Sequence, residues 1–291
     1  MKNPALIVAG AMSCSFAHGQ LILTADNRTT IVEVEIELTD PDDGVTQHFF
    51  DDLDTQTPAT PYADFQAVVS AHAQDIPANY GSSLASQIST ADAFTLGGQG
   101  TAYAEGGLAF AVPPSLLTSN ATSDYRISFD VEVPTLVRVQ ADLHCDSPDP
   151  GSGTFALSRA RLKKIVNGVP VEPVILVAVL NSGVEHVDQT VLLLPGRYEQ
   201  ELTADASLAT LNGTPGPASA SFSGVLTVLG SPCNAADIAE PFGVLDLADI
   251  QAFVSAFVNA EPAADIAEPF GVWDLFDVQV FITQFAIVGC P

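Results

Sequence analysis

Positive charge is what this sequence has least of. Nine Lys and Arg stand against 35 Asp and Glu, a net charge of −26, and no base follows Arg197. Nucleic acid is excluded as a partner, because phosphates are met by Lys and Arg, and so is an anionic membrane surface. Tryptophan occurs once, at Trp273, which leaves no row of indoles for sugars to stack on. Past the first 20 residues no apolar run approaches the roughly 20 residues that a membrane helix needs, so no membrane span is expected. Neither H-E-x-x-H nor G-x-S-x-G occurs, and His48, His72, His144 and His186 are scattered. No catalytic residue is assigned, and a non-enzymatic protein is expected.

The remaining composition suits a solvated extracellular protein or one that binds cations. Lys2, a short apolar stretch "PALIVAGAMSCSF" and small residues at Ser15 and Ala17 read as an export signal over residues 1–17. A secreted or cell-surface location follows, and with it an oxidising compartment. Cys145, Cys233 and Cys290 then remain. Cys233 and Cys290 bracket the C-terminal region, and a disulfide between them closes a loop of about 58 residues, adding about 4 kcal/mol in the chain-entropy account. Cys145 is left as a buried thiol or a free one.

Residues 18–230 read as strands of an antiparallel β-sandwich, jelly-roll-like in type. "TTIVEVEIEL" alternates Val32, Val34, Ile36 and Leu38 with three glutamates, and "DYRISFDVEV" places Tyr125, Ile127, Phe129, Val131 and Val133 on one face. Val137, Val139, Ala141 and Leu143 follow the same rule. "PVILVAVL" (173–180) is apolar throughout, which predicts a central strand covered on both faces. "YADFQAVVSAHAQD" fits a strand better than a helix. "LLPGRYEQEL" resembles the strand–Pro-Gly–Tyr–strand turn of secreted bacterial sandwiches, carbohydrate-binding modules among them. Acids concentrate in "DPDDG" (40–44) and "FFDDLD" (49–54), as solvated turns or a structural calcium site. His144, Cys145, Asp146 and Asp149 lie close in sequence, as a metal or thiol site or as a strand end. "RARLKK" (159–164) puts Arg159, Arg161 and Lys163 on one face, as a contact for an acidic patch or a glycan or as protection of an exposed strand.

Composition shifts near Ser231, and residues 231–291 form a second domain built on a repeat. "DIAEPFGVLDLADIQAFVSAF" (237–257) returns 28 residues later as "DIAEPFGVWDLFDVQVFITQF" (265–285), with 14 of 21 positions identical. Gly243, Leu245, Asp246 and Asp249 have the layout of positions six, eight, nine and twelve of an EF-hand loop, and Gly271, Trp273, Asp274 and Asp277 repeat it. Ile250, Phe253, Val254 and Phe257, then Val278, Phe281, Ile282 and Phe285, fall at helical spacing. Each unit is one loop and one amphipathic helix, and the two helices are expected to pack on each other.

This duplication, with the chain ending in Gly289-Cys290-Pro291, resembles a dockerin, and specifically the GC-type dockerin domain. The resemblance implies a calcium-binding anchoring module that docks on a cohesin-like or other extracellular receptor. It implies metal ligands at Asp237, Asp246, Asp249, Asp265, Asp274 and Asp277; calcium takes six to eight oxygens, so each site must add backbone carbonyls, water, or Glu240 and Glu268. The partner-contacting positions carry over to Leu247, Ala248, Leu275 and Phe276, as an exposed apolar patch or as core. Two roles suit the same aspartates, calcium ligation and helix capping. The loop departs from an ordinary one in that Asp237 precedes Gly243 by six residues and Pro241 stands between. The overall expectation is a secreted sandwich held to an extracellular assembly by this module. A carbohydrate-binding module with a glycan ligand, or a polysaccharide-degrading enzyme carried on a dockerin, stands as the alternative.

Overall fold

The computed structural model describes residues 20–39, 46–76, 79–108, 116–147, 153–211, 213, 215–240 and 242–288. The export signal, "DPDDG", Asp149, Cys290 and the Gly-Cys-Pro end lie outside the described residues. The chain divides into two compact units, one of residues 19–231 and one that includes 232–291.

The first unit holds thirteen strands. They are β1 Ile22–Asp26, β2 Thr29–Thr39, β3 Thr46–Gln56, β4 Phe65–Ile76, β5 Asn79–Ala91, β6 Thr95–Leu108, β7 Leu116–Val131, β8 Thr135–Asp146, β9 Thr154–Val166, β10 Val169–Leu180, β11 Ser182–Leu193, β12 Gly196–Thr210 and β13 Ala218–Gly230. One sheet runs β10-β9-β12-β7-β2-β3, with β1 also on β7, and the other runs β11-β8-β13-β6-β5-β4. All pairings are antiparallel. Within these orders β6 pairs β13, β7 pairs β12, β8 pairs β11 and β9 pairs β10. From β6 onward the chain is thus one long ribbon doubled on itself, its rungs alternating between sheets, which is the winding of a jelly roll. β2–β3 and β5–β4 lengthen the two sheets at one side.

Alternation explains why these residues make strands. Val32, Val34, Ile36, Tyr125, Ile127, Phe129, Val137 and Leu143 are fully buried in one core cluster with residues of both sheets. Val133 departs from the expectation, because β7 ends at Val131 and the chain bends before Pro134. The Pro195-Gly196 turn carries the chain from one sheet to the other, since β11 and β12 lie in different sheets. Tyr198 then packs on Phe129 at 6.0 Å between ring centroids, and its hydroxyl donates to the Leu194 carbonyl at 2.8 Å. The sheets approach closely at Gly100, where an added Cβ would meet Ser123 Oγ at 2.2 Å and the Phe222 ring at 2.5 Å.

Two expectations are corrected. "PVILVAVL" belongs to β10, an edge strand rather than a central one. Only Ile175 and Val179 are buried there, while Val174, Leu176 and Leu180 are exposed. The basic row of β9 is not on an exposed edge either, because β9 lies between β10 and β12. Arg159, Arg161 and Lys163 converge on Glu201 of β12, whose side chain is 0% exposed. Arg161 Nη2 is 2.5 Å and Lys163 Nζ 3.1 Å from Glu201 Oε2, and Arg159 bonds Oε1. Burial alone would raise the Glu201 carboxyl. The hydrogen bonds from Arg161 and Lys163, and the charge of Arg159, outweigh it and hold the carboxyl at about 2.

A depressed carboxyl contributes stability that is present above the unfolded value and lost as pH falls through the folded one. Acid unfolding of the sandwich should therefore show a Glu201 component between about pH 4.5 and 2. Glu201→Gln is expected to remove that component and, by leaving Arg159 and Arg161 without their anion while Lys163 keeps Glu199, to cost about 2–4 kcal/mol at neutral pH. Denaturant melts across this pH range check it. Gly100→Ala should destabilise by about 1–3 kcal/mol through overpacking, read in the same melts.

Candidate functional site

The C-terminal unit carries nine of the chain's acids and no base, and its loops are built from those acids. In the first loop Gly243 sits at φ +89° and in the second Gly271 at +87°. That left-handed turn disfavours a side chain. It aims each glycine amide at the first aspartate of its loop: Gly243 N donates to Asp237 Oδ2 and Gly271 N to Asp265 Oδ2, both at 2.6 Å. Cys233 N also donates to Asp237 Oδ2, at 2.8 Å.

The chain then enters α1, Leu247–Val258, in the first unit and α2, Leu275–Thr283, in the second. Asp246 and Asp274 are the N-caps, accepting from Ala248 N and Phe276 N at 2.6 and 2.7 Å. Asp249 and Asp277 complete capping boxes, and they do more than cap. Asp249 Oδ2 accepts from Asp246 N at 2.9 Å, while its Oδ1 reaches across the loop to the amides of Ile238 and Ala239 at 2.8 and 2.9 Å. Asp277 repeats the set with Asp274, Ile266 and Ala267, all at 2.9 Å. Both carboxylates are buried. Burial acts to raise the Asp277 carboxyl, but its three amide donors outweigh that and hold it below the usual range. Each of these side chains closes its loop and starts its helix at once.

The helices pack as the repeat predicts. Phe253 and Phe281, which occupy the same place in the two units, stack at 4.1 Å, flanked by Phe257 and Phe285. Trp273 breaks the symmetry: its indole nitrogen donates to the Glu261 carbonyl at 2.8 Å, where the first unit has Leu245. An apolar groove of about 340 Å³ remains open between the helices, with Ile250, Phe253, Val254, Phe281 and Phe285 on its walls.

The six aspartates thus come together as two sets of three, each set within one loop and its helix start. Glu240 and Glu268 are exposed. Of the partner-contacting positions, Leu247 is 65%, Leu275 76% and Phe276 61% exposed, and Ala248 is half-buried. Those positions are surface, not core. Among the described residues no group of three His, Cys, Asp or Glu side chains is placed to hold a metal. Cys145 is free and buried, and Cys233 is not a free thiol.

In the sandwich, strand alternation separates the His144–Asp146 cluster. Cys145 points inward, its thiol pushed up to about 11, chiefly by burial, and donating to the Val179 carbonyl at 3.3 Å. His144 and Asp146 are exposed. Of the acidic "FFDDLD" run, Asp52 caps a strand edge by accepting from His72 N at 3.0 Å. A shallow trough of about 460 Å³ crosses the outer face of the β11–β4 sheet over Ile88, Gln99, Gln140, Asp142 and Ser223, with no aromatic ring in its lining. Nothing in the sequence announces this trough or the Glu201 cluster, because both depend on which strands are neighbours. The loop amides held by Asp249 and Asp277 were equally hidden, although the recurring spacing of the acids marked the place.

No family model matches the chain, and no curated protein matches it. Among solved structures it is similar to the enzymatically active domain of bacteriophage CBA120 tailspike protein 4, at 10% identity and a TM-score of 0.23. That alignment covers 57% of this chain and 19% of the tailspike chain. It is similar also to the VP2 subviral particle of infectious bursal disease virus, at 12% identity and a TM-score of 0.20 over 72% of this chain and 57% of that one. A carbohydrate-binding module of the β-sandwich superfamily aligns at 10% identity and a TM-score of 0.17, over 70% and 84% of the two chains. Likenesses this low carry no argument about what the chain does.

The three amides on each buried carboxylate predict a specific sensitivity. Asp249→Ala or Asp277→Ala should each cost about 2 kcal/mol or more and reduce helix content, because buried donors are left unmet. Glu240→Ala and Glu268→Ala should change stability by less than about 0.5 kcal/mol. Thermal melts followed at the helical circular-dichroism band check both.

Proposed function

We propose that the chain is an exported, non-enzymatic β-sandwich protein held to an extracellular or cell-surface assembly by its C-terminal unit, which acts as a dockerin-like module. One observation carries this reading. The first helical turns of the two units present Leu247 and Leu275 to solvent at equivalent places, with Phe276 exposed beside Leu275, although a unit this small can spare little apolar surface from its own core. Core positions of the same helices are filled by Phe253 and Phe281, so the exposed residues are not needed for folding. The receptor would be a cohesin-like or other extracellular protein offering an apolar surface flanked by Lys or Arg, since the unit has no base of its own. Cys233 with Cys290 would clasp the two ends of the module.

The six aspartates serve this function first as a scaffold, by accepting loop and helix amides. Calcium is a second reading, favoured by one atom. Asp265 Oδ1 is buried and accepts no hydrogen bond among the described residues. In the first unit burial raises the Asp237 carboxyl against the amides of Cys233 and Gly243, and the negative charges of Asp249 and Asp246 push the same way. A cation beside these oxygens would relieve both. The donors are few for an ion that takes six to eight oxygens, because Asp249 and Asp277 already hold three amides each. Loop carbonyls, water, Glu240 or Glu268 would have to complete the shell. For the sandwich, a glycan would lie in the trough over Gln99 and Asp142. That trough has no aromatic platform, and attachment is the reading we carry forward.

Two measurements test this. Leu275→Glu with Phe276→Ser should release the exported protein from the cell-surface fraction into the medium by tenfold or more while leaving its melting unchanged. Unaltered retention would contradict the docking role of this face. Calorimetric titration of the full chain with Ca²⁺ should show no binding at micromolar affinity, and chelator should leave the melting of the C-terminal unit unchanged. Two sites per chain would instead establish the calcium reading.

A further inference from the structure

Besides the five-residue β1, which pairs only with β7, four strands end the two sheets among the described residues, and three of them are guarded. β3 carries Asp51, Asp52 and Asp54, and Asp52 caps the His72 amide of the edge strand β4. β11 carries Glu185, His186 and Asp188, with His186 on Asp142 and Asp188 on Arg138. Acids, side-chain caps and ion pairs of this kind are how proteins stop sheet edges from pairing with other chains. β10 is different. Its first part has Pro170, Glu172 and Pro173 and register shifts around Pro173. From Ile175 to Leu180 the register against β9 is unbroken, and "ILVAVL" contains no charge, proline or glycine. Leu176 is 53% and Leu180 58% exposed. The Val179 carbonyl is held by Cys145 Sγ, which leaves Val174–Ala178 as the open part of the edge.

We infer that β10 pairs antiparallel with β10 of a second copy, joining two sandwiches into a dimer through one continuous sheet. The occupant must be an extended, apolar strand that brings no acid, because each chain carries a net charge of −26 and two copies repel wherever acids face. The 174–180 part of β10 meets that requirement. The strand behind it, β9, holds four of the nine bases, at Arg159, Arg161, Lys163 and Lys164, against the two acids Glu199 and Glu201 that they pair on β12, so no excess of negative charge backs this edge. Antiparallel self-pairing is two-fold symmetric and closes after one partner, which gives a dimer and not a filament. A single added ladder is a small interface, so association on the order of micromolar is expected.

Sedimentation velocity of the full chain over a concentration series tests this. The wild type should pass from monomer to dimer, and Leu176→Lys should remain monomeric up to about 100 µM. Leu192→Lys, an equally apolar exposed site on β11, should dimerise as the wild type does. Hydrogen exchange on the wild type should show protection of the 174–178 amides that deepens with concentration, a readout that needs no variant to fold. A wild type that stays monomeric, species larger than two, equal loss in both variants, or concentration-independent exchange would each overturn the inference.

Discussion

A buried carboxylate holding three backbone amides is the interaction on which the C-terminal unit depends. Asp249 and Asp277 each collect two amides from the far end of a loop and one from a helix cap. The helix ends they occupy favour negative charge, and the amides would otherwise be buried without acceptors. The fully buried apolar core of the unit is Phe253, Phe281 and three alanines among the described residues, with the other large apolar side chains that pack on it, Phe257, Trp273 and Phe285 among them, only partly buried. A core of that size does not fix two loops by itself. The polar grip does, and it frees apolar side chains on the first helical turns for the surface. Structure and proposed function meet there: the aspartates hold the backbone, so the leucines and Phe276 need not.

The sandwich solves the opposite problem. It has ample apolar area, with cores from both sheets in one cluster, and its difficulty lies at the sheet edges and on the outer faces. The Glu201 cluster spends the chain's scarce bases on one buried acid, which ties β9 to β12 and leaves little positive charge for binding. The β3 and β4 edges guard each other through Asp52, and β11 guards itself with charge. Under the proposed attachment the sandwich is the part that is carried, and its open β10 edge is the inferred place where two copies join.

The sequence made some of this legible and hid the rest for physical reasons. Alternation in "DYRISFDVEV" correctly marked the inward face of β7 through Val131, because one face of that strand is core and the other is not. "PVILVAVL" misled, since an unbroken apolar run is the same whether a strand is central or merely unguarded at an edge. The repeat and its helical spacing located the stacked phenylalanines. The acids at each twelfth position stood out by their spacing, but their chemistry was ambiguous. A carboxylate that suits a metal also suits three amides, and only the path of the loop distinguishes them. Glu201 was invisible because it lies 38 residues or more from the bases it gathers.

The central claim is that Asp249 and Asp277 hold the loops through amides, so the loops stay closed without any added ion. Residue-resolved hydrogen exchange of the amides of Ile238, Ala239, Ile266 and Ala267, in the full chain with chelator present, tests it most directly. The account predicts slow exchange at all four positions, at least as slow as in the middle of α1. Exchange near the free-peptide rate under chelator, slowing when Ca²⁺ is restored, would contradict it.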